Sequence, residues 1–133
     1  MTEPDPAHTP EPAREPTPTP PHTAVTRVFP DCVPTLAGKG IVLRAHTEAD
    51  VARIVEQSRD PMSQRFIPLP FPYEESDARG YLEHVARSGW ERGNLREFAI
   101  DEILPDSTRR FVGNVALGSR DNGRYELGFV LHP

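Results

Sequence analysis

Tyr125-Glu126-Leu127-Gly128-Phe129-Val130-Leu131, running into His132-Pro133, is an apolar stretch that reads as a strand. The residues just before it, Arg120-Asp121-Asn122-Gly123-Arg124, hold an Asn-Gly dipeptide between two apolar runs. That dipeptide is the strongest short-range hairpin signal, since both residues tolerate positive φ. The run on the other side, Phe111 to Leu117, is therefore the strand that pairs with it. Pro105-Asp106-Ser107 makes one more turn, and before it Phe98 and Ile100 alternate with Glu97 and Asp101 in the pattern of a half-buried strand. Three strands joined by short turns predict an antiparallel sheet.

Before Asn94 the apolar period is 3.6 rather than 2. Thr47-Glu48-Ala49-Asp50 is a capping box in which the Thr47 hydroxyl and the Asp50 carboxylate serve the free amides of a helix start. Val51, Ile54 and Val55 follow at helical spacing, and Asp60-Pro61 ends the helix, because proline biases its predecessor away from helical backbone. A second helix is expected from about Glu74 to Ser88. Glu74, Glu75 and Asp77 complement its dipole, Ala78, Leu82, Val85 and Ala86 share one face, and Gly89 and Gly93 mark its end. Between the helices, Phe66-Ile67-Pro68-Leu69-Pro70-Phe71-Pro72-Tyr73 is apolar, but its prolines prevent ladder bonding, so an extended loop is expected. Ile41 to Arg44, after Gly38 and Gly40, is a short first strand. The order is strand, helix, helix and three strands. It predicts an α/β fold with two helices on an antiparallel sheet and the first strand beside the second.

Of 133 residues 16 are proline, and ten of these lie in residues 1–36. Residues 1 to about 23 lack large apolar side chains after Met1 and are expected to be disordered and extended. The chain thus divides into a Pro-rich leader, 1–35, and a domain, 36–133. Pro18-Thr19-Pro20-Pro21 has PxxP spacing, which fits a docking ligand for an aromatic groove or simply a solvating leader. The net charge is −5, shared between leader and body, and the only adjacent basic pair is Arg109-Arg110. That footprint argues against a nucleic-acid partner. No apolar run is long enough to span a membrane, and the acidic opening is unlike a secretory signal, so a cytoplasmic protein is expected. The single cysteine, Cys32, excludes an internal disulfide and a multi-thiolate zinc site. The histidines are scattered without helical pairing, so no metal site is expected. There is no Gly-x-Ser-x-Gly elbow to support serine hydrolysis.

Leu43-Arg44, the Asp60-Pro61 helix stop, Phe111-Val112-Gly113-Asn114-Val115 and above all Glu126-Leu127-Gly128-Phe129-Val130-Leu131-His132-Pro133, taken in this order, resemble the GNAT superfamily of N-acetyltransferases. The likeness is to its RimJ/RimL-type branch and covers about residues 36–133. The resemblance implies transfer of an acetyl group from acetyl-CoA to a primary amine, either a protein N-terminus or a small molecule. It implies that backbone groups of the last strand, splayed at a bulge, bind the pantetheine arm; by position these are Phe129, Val130 and Leu131. Glu126 becomes the candidate proton relay, with a pKa raised by partial burial, and Tyr125 the candidate acid for the leaving thiolate. The other reading of Glu126 is an exposed strand residue paired with Arg124 or Arg110. Phe66, Phe71 and Tyr73 become candidates for the acceptor groove, or else core-capping aromatics.

In the family an Arg/Gln-x-x-Gly-x-Gly/Ala loop follows the strand and its His-Pro, cradling the pyrophosphate at a helix N-terminus. The sequence stops at Pro133, before that loop, so a partial fold is expected: strand, two helices and three strands, cut before the pyrophosphate loop and inactive alone. The alternative function is a non-catalytic fragment acting as an interaction module. Without the strand that follows in the family, Leu127, Phe129 and Leu131 lose apolar cover, and the chain is expected to be marginally stable, prone to self-association through Tyr125–Leu131 and unable to bind acetyl-CoA with useful affinity.

Overall fold

In a computed structural model that describes residues 32–133, the Asn-Gly dipeptide turns the chain. Asn122 and Gly123 have φ of 66° and 72°, and Arg120 N–H donates to the Arg124 carbonyl at 2.8 Å. The expected disorder of residues 1 to 23 and the PxxP segment lie outside the described residues. Five antiparallel strands form one sheet in the order β1 (Leu36–Ala37), β2 (Ile41–Arg44), β3 (Leu95–Ile103), β4 (Arg109–Ser119) and β5 (Tyr125–Leu131). The first predicted strand, β2, does lie beside the second, β3.

All helices of the layer packed on the sheet lie between β2 and β3 in the chain. A 3-10 turn, Glu48–Asp50, leads into α1 (Val51–Arg59), and the Asp50 carboxylate accepts from the Thr47 amide at 2.8 Å, as the capping box predicts. Asp60-Pro61 ends α1 as expected, but it also starts a further short helix, α2 (Pro61–Phe66). Asp60 caps the new helix by accepting from the Met62 and Ser63 amides, and proline suits the first helical position, where its missing donor costs nothing. Phe66 is therefore helical, and the extended loop starts one residue later.

The next helix runs past Ser88: α3 (Glu75–Gly80), a π-helical stretch Tyr81–Arg87, and α4 (Ser88–Arg92) are continuous. Gly89 does not stop it. A Cβ there would sit 2.7 Å from the Leu95 carbonyl oxygen, so glycine lets the helix press onto β3. The stop is Gly93, at φ 74°.

The core forms where Val51, Ile54 and Val55 of α1 and Ala78 of α3 meet Tyr73, Ala99 and Phe111. This inverts the expectation for β3. Glu97, Ala99 and Asp101 face the helices and are buried, while Phe98 and Ile100 lie half-buried on the other face. Small Ala99 makes room for the helices, and each buried carboxylate has a partner: Asp101 accepts from Arg44 and Glu97 from the Tyr81 hydroxyl. The register aligns Glu97, Ala116 and Gly128 across the helix face of the sheet, with Ala99, Asn114 and Val130 in the adjacent row.

Gly113 holds β5 in place. Its φ is 155°, and a Cβ would stand 2.3 Å from the Val130 carbonyl oxygen. Gly113→Ala is expected to cost about 1–3 kcal/mol by forcing β5 off β4. Urea unfolding, with amide exchange at Gly128 and Val130, measures it; an unchanged midpoint with slow exchange would refute it. On the sheet face away from the helices, Tyr125, Leu127, Phe129 and Leu131 line up on β5, with between 55 % and 71 % of each residue exposed.

Candidate active site

Glu97 sits in a wall between two cavities. The larger, about 670 Å³, lies between the segment after β2 and the long helix, and His46, Leu82 and Trp90 line it with Glu97. The smaller, about 190 Å³, lies under α1 and the loop after α2, and Glu97 lines it together with Tyr81, Asn114 and Val130. The wall is built by the folding of β3. Trp90 of α4 donates its indole N–H to the Glu97 carbonyl at 2.7 Å, which locks the helix end to the strand. Trp90 also meets Phe98 edge-on and lies under the Arg96 guanidinium, at 5.1 Å.

Burial pushes the Glu97 carboxyl up to about 7. The Tyr81 hydroxyl donates to Oε1 and supports the ionised form against that burial. Tyr81 belongs to the π-helical stretch, a backbone variant that recurs at functional sites because it re-aims side chains. His46 stacks edge-on against Tyr81, and its Nε2 lies 2.6 Å from Asn114 Oδ1. As Oδ1 can only accept, the proton is on Nε2. Burial lowers the His46 pKa, partly opposed by that hydrogen bond, so the ring is neutral near pH 7. Gln57 Oε1, in a residue lining the smaller cavity, is a buried acceptor with no partner among the described residues. The ensemble offers one carboxyl that titrates near neutrality, one phenol and one neutral imidazole around apolar space. That is equipment for moving a proton.

Behind the wall stands a rigid ion cluster. Arg44 of β2 donates to both oxygens of Asp50 at 2.8 Å and to both oxygens of Asp101 at 2.6 and 2.7 Å. The cluster ties β2, the start of α1 and β3 together, and so fixes the segment carrying His46 relative to Glu97.

The family model for the acetyltransferase (GNAT) domain matches residues 41–133, more than half of the chain. The chain belongs to the GNAT acetyltransferase family. A solved structure assigned as a putative ribosomal-protein-serine acetyltransferase from Vibrio cholerae has a similar fold. It superposes with a TM-score of 0.56 at 19 % identity, over 74 % of this chain and 54 % of that one. The chain thus spans about half the length of that neighbour. No curated protein sequence matches it.

Within this GNAT fold the sequence-derived candidates scatter. Glu126 is exposed, and its partner is Arg120, at 2.6 Å, rather than Arg124 or Arg110. That hydrogen bond and charge lower its pKa, which corrects the expectation of a raised one. Tyr125 is exposed on the opposite face of the sheet. Phe66 and Phe71 are exposed, whereas Tyr73 is buried in the core, so the three do not form one groove.

Of the donor-strand residues, Phe129 and Leu131 behave differently from Val130. The bonds from His132 N–H to the Val112 carbonyl and from Arg120 to Arg124 set the phase of the β4–β5 ladder. In that phase Val130 points its backbone groups at β4, while the N–H and C=O of Leu127, Phe129 and Leu131 face the open edge. No bulge interrupts β5; the register shift lies between β3 and β4, at Ile100/Asp101. The sequence reading missed Glu97, Tyr81, His46 and Asn114. Their signal was two carboxylates flanking an alanine, Glu97-x-Ala99-x-Asp101, which strand alternation assigns to either face.

Proposed function

We propose that this GNAT domain belongs to an N-acetyltransferase that moves an acetyl group from acetyl-CoA to a primary amine, with the donor along β5 and the acceptor on the helix side of the sheet. The observation that carries the reading is the open edge of β5. In a chain of this family, the edge leaves N–H and C=O groups of Leu127, Phe129 and Leu131 without a strand partner among the described residues, the groups a pantetheine arm needs. Acetyl-CoA, when bound, supplies an acyl carbon activated as a thioester. The N–H groups of this edge are the chain's donors for the carbonyl oxygen as it takes on negative charge. The acceptor must reach the site as a neutral amine, which calls for a nearby base. Cytoplasm is the location this reading carries with it.

Among the described residues no glycine-rich helix start stands beside the far end of β5 to take a pyrophosphate. Amide exchange at Phe129 and Leu131 should slow at millimolar acetyl-CoA, with traces of acetylated amine appearing in an amine panel assayed by mass spectrometry. Unchanged β5 exchange and no product would overturn the reading.

A second reading is favoured by the exposed apolar side chains of β5: a non-catalytic module that pairs through this edge, with a second copy as the simplest partner. It expects concentration-dependent dimers by ultracentrifugation, with β5 amides protected in the dimer and acetyl-CoA without effect on them.

A further inference from the structure

We propose that the cavity of about 670 Å³ between the segment after β2 and the long helix binds a small primary ammonium ion with an apolar body, its charged end meeting the Glu97 carboxylate. This rests on the N-acetyltransferase reading and narrows the acceptor to small-molecule amines. The volume falls in the range of clefts that enclose small ligands. Leu82, Ala86 and Trp90 give one wall an apolar surface suited to a hydrocarbon or ring.

The charge around the cavity favours a cation. Glu48, Glu83 and Glu91 line it with Glu97, against Arg79 and Arg87. Both guanidinium groups are already engaged, Arg79 with Glu48 and Arg87 with Glu83, each at 2.7 Å. The imidazole of His46 is neutral, so it adds no opposing charge. Glu97 is only 7 % exposed, and among the described residues Oε1 alone of its two oxygens is held, by Tyr81. The other groups facing it are Cys32 from before β1 and, on the smaller-cavity side, Tyr73 and the uncharged Asn114. No cation other than the two engaged arginines competes for the carboxylate among these lining residues.

The position also suits chemistry. An ammonium ion gives its proton to the Glu97 carboxylate, leaving a neutral amine with a free lone pair and a neutral carboxylic acid, one proton moved and none lost. From Glu97 the register row runs through Ala116 to Gly128 on the donor strand, so no side chain larger than a methyl group stands in that row.

The test uses 2-phenylethylamine as the probe and 2-phenylethanol as its uncharged counterpart. Calorimetric titration should show the wild-type protein binding the amine about tenfold or more tightly at pH 8 than at pH 5.5, where Glu97 is protonated. Glu97→Gln should bind weakly and equally at both, and the alcohol should show no pH dependence. Independently of any variant, the Glu97 carboxyl carbon should titrate near 7 by NMR and move down by about one unit or more with the amine bound. Equal binding by wild type and Glu97→Gln at pH 8, an unmoved carboxyl titration, or Glu97-dependent binding only of a peptide N-terminus would overturn the proposal. Amine binding that needs Glu97 but yields no acetylated product under any donor concentration supports this site and refutes the acetyltransferase reading. Acetylation that Glu97→Gln leaves intact does the reverse.

Discussion

Arg44→Met is expected to cost about 3–5 kcal/mol of folding stability, the range for removing one partner from a buried ion pair. Domains of this size are stable by only about 5–15 kcal/mol, so the loss takes a large share of the total. The loss is large because Arg44 serves two carboxylates whose side chains are each only 4 % exposed. Hydrogen bonds to Asp50 and then to Asp101 raise the Arg44 pKa further above its ordinary value, so its charge is permanent. For Asp50, burial pushes the pKa up, but the Arg44 hydrogen bonds, the Thr47 amide and the Arg44 charge together bring it below the usual carboxylate value. A depressed carboxylate contributes stability above its unfolded pKa and loses it as pH falls through the folded value. The gap between wild type and Arg44→Met should therefore narrow in acid. Arg44→Lys should fall between them, since a point charge cannot fork onto both carboxylates. Urea unfolding followed by Trp90 fluorescence, at pH 7 and at a pH well below the ordinary aspartate value of 3.8, measures this; a loss under about 1 kcal/mol at pH 7 would refute it.

Glu97→Gln is expected to do the opposite and stabilise the protein, by up to about 3 kcal/mol at pH 8. The folded-state pKa of Glu97 is raised from 4.5 to about 7. Between those values the folded state holds a proton that the unfolded state has released, so stability falls as pH rises through that window. Below about pH 4 both states are protonated and the contribution vanishes. Glutamine keeps an oxygen to accept from Tyr81 and has no charge to bury. Thermal unfolding of both proteins from pH 4 to pH 8 should show curves that meet in acid, diverge between 4.5 and about 7, and stay a constant distance apart above that. Parallel curves would mean that Glu97 is an ordinary carboxylate.

How much of this was legible in the sequence follows from how local each signal is. The Asn122-Gly123 turn, the Asp50 cap and the 3.6 period through Val51, Ile54 and Val55 act within a few residues, and each appears at its expected place. Which face of β3 is buried is not local. It depends on where the helices land, and the alternation of Phe98 and Ile100 with Glu97 and Asp101 fits either answer until Arg44 and Tyr81 are known to be opposite. The same limit hid the site. Glu126 lies on the strand that most resembles the family, and there Arg120 holds it in solvent. Glu97 is shaped by Tyr81, His46 and Asn114, which only the folded chain brings together. Asp60-Pro61 shows a smaller ambiguity: one dipeptide both ends a helix and begins the next.

The sheet, which the described helices cover on one face only, has a consequence for how this protein behaves under spectroscopic probes. Tyr125, Leu127, Phe129 and Leu131 present an apolar stripe in the native state, while Trp90 is held by Arg96, Phe98 and the Glu97 carbonyl on a well-packed helix end. Dyes such as ANS that light up on exposed hydrocarbon are commonly taken as the mark of a molten globule. Here the dye-binding surface and the rigid chromophore belong to the same folded state. Bright dye fluorescence from this chain therefore says nothing about its tertiary order, and the near-ultraviolet dichroism of Trp90 is the signal that does.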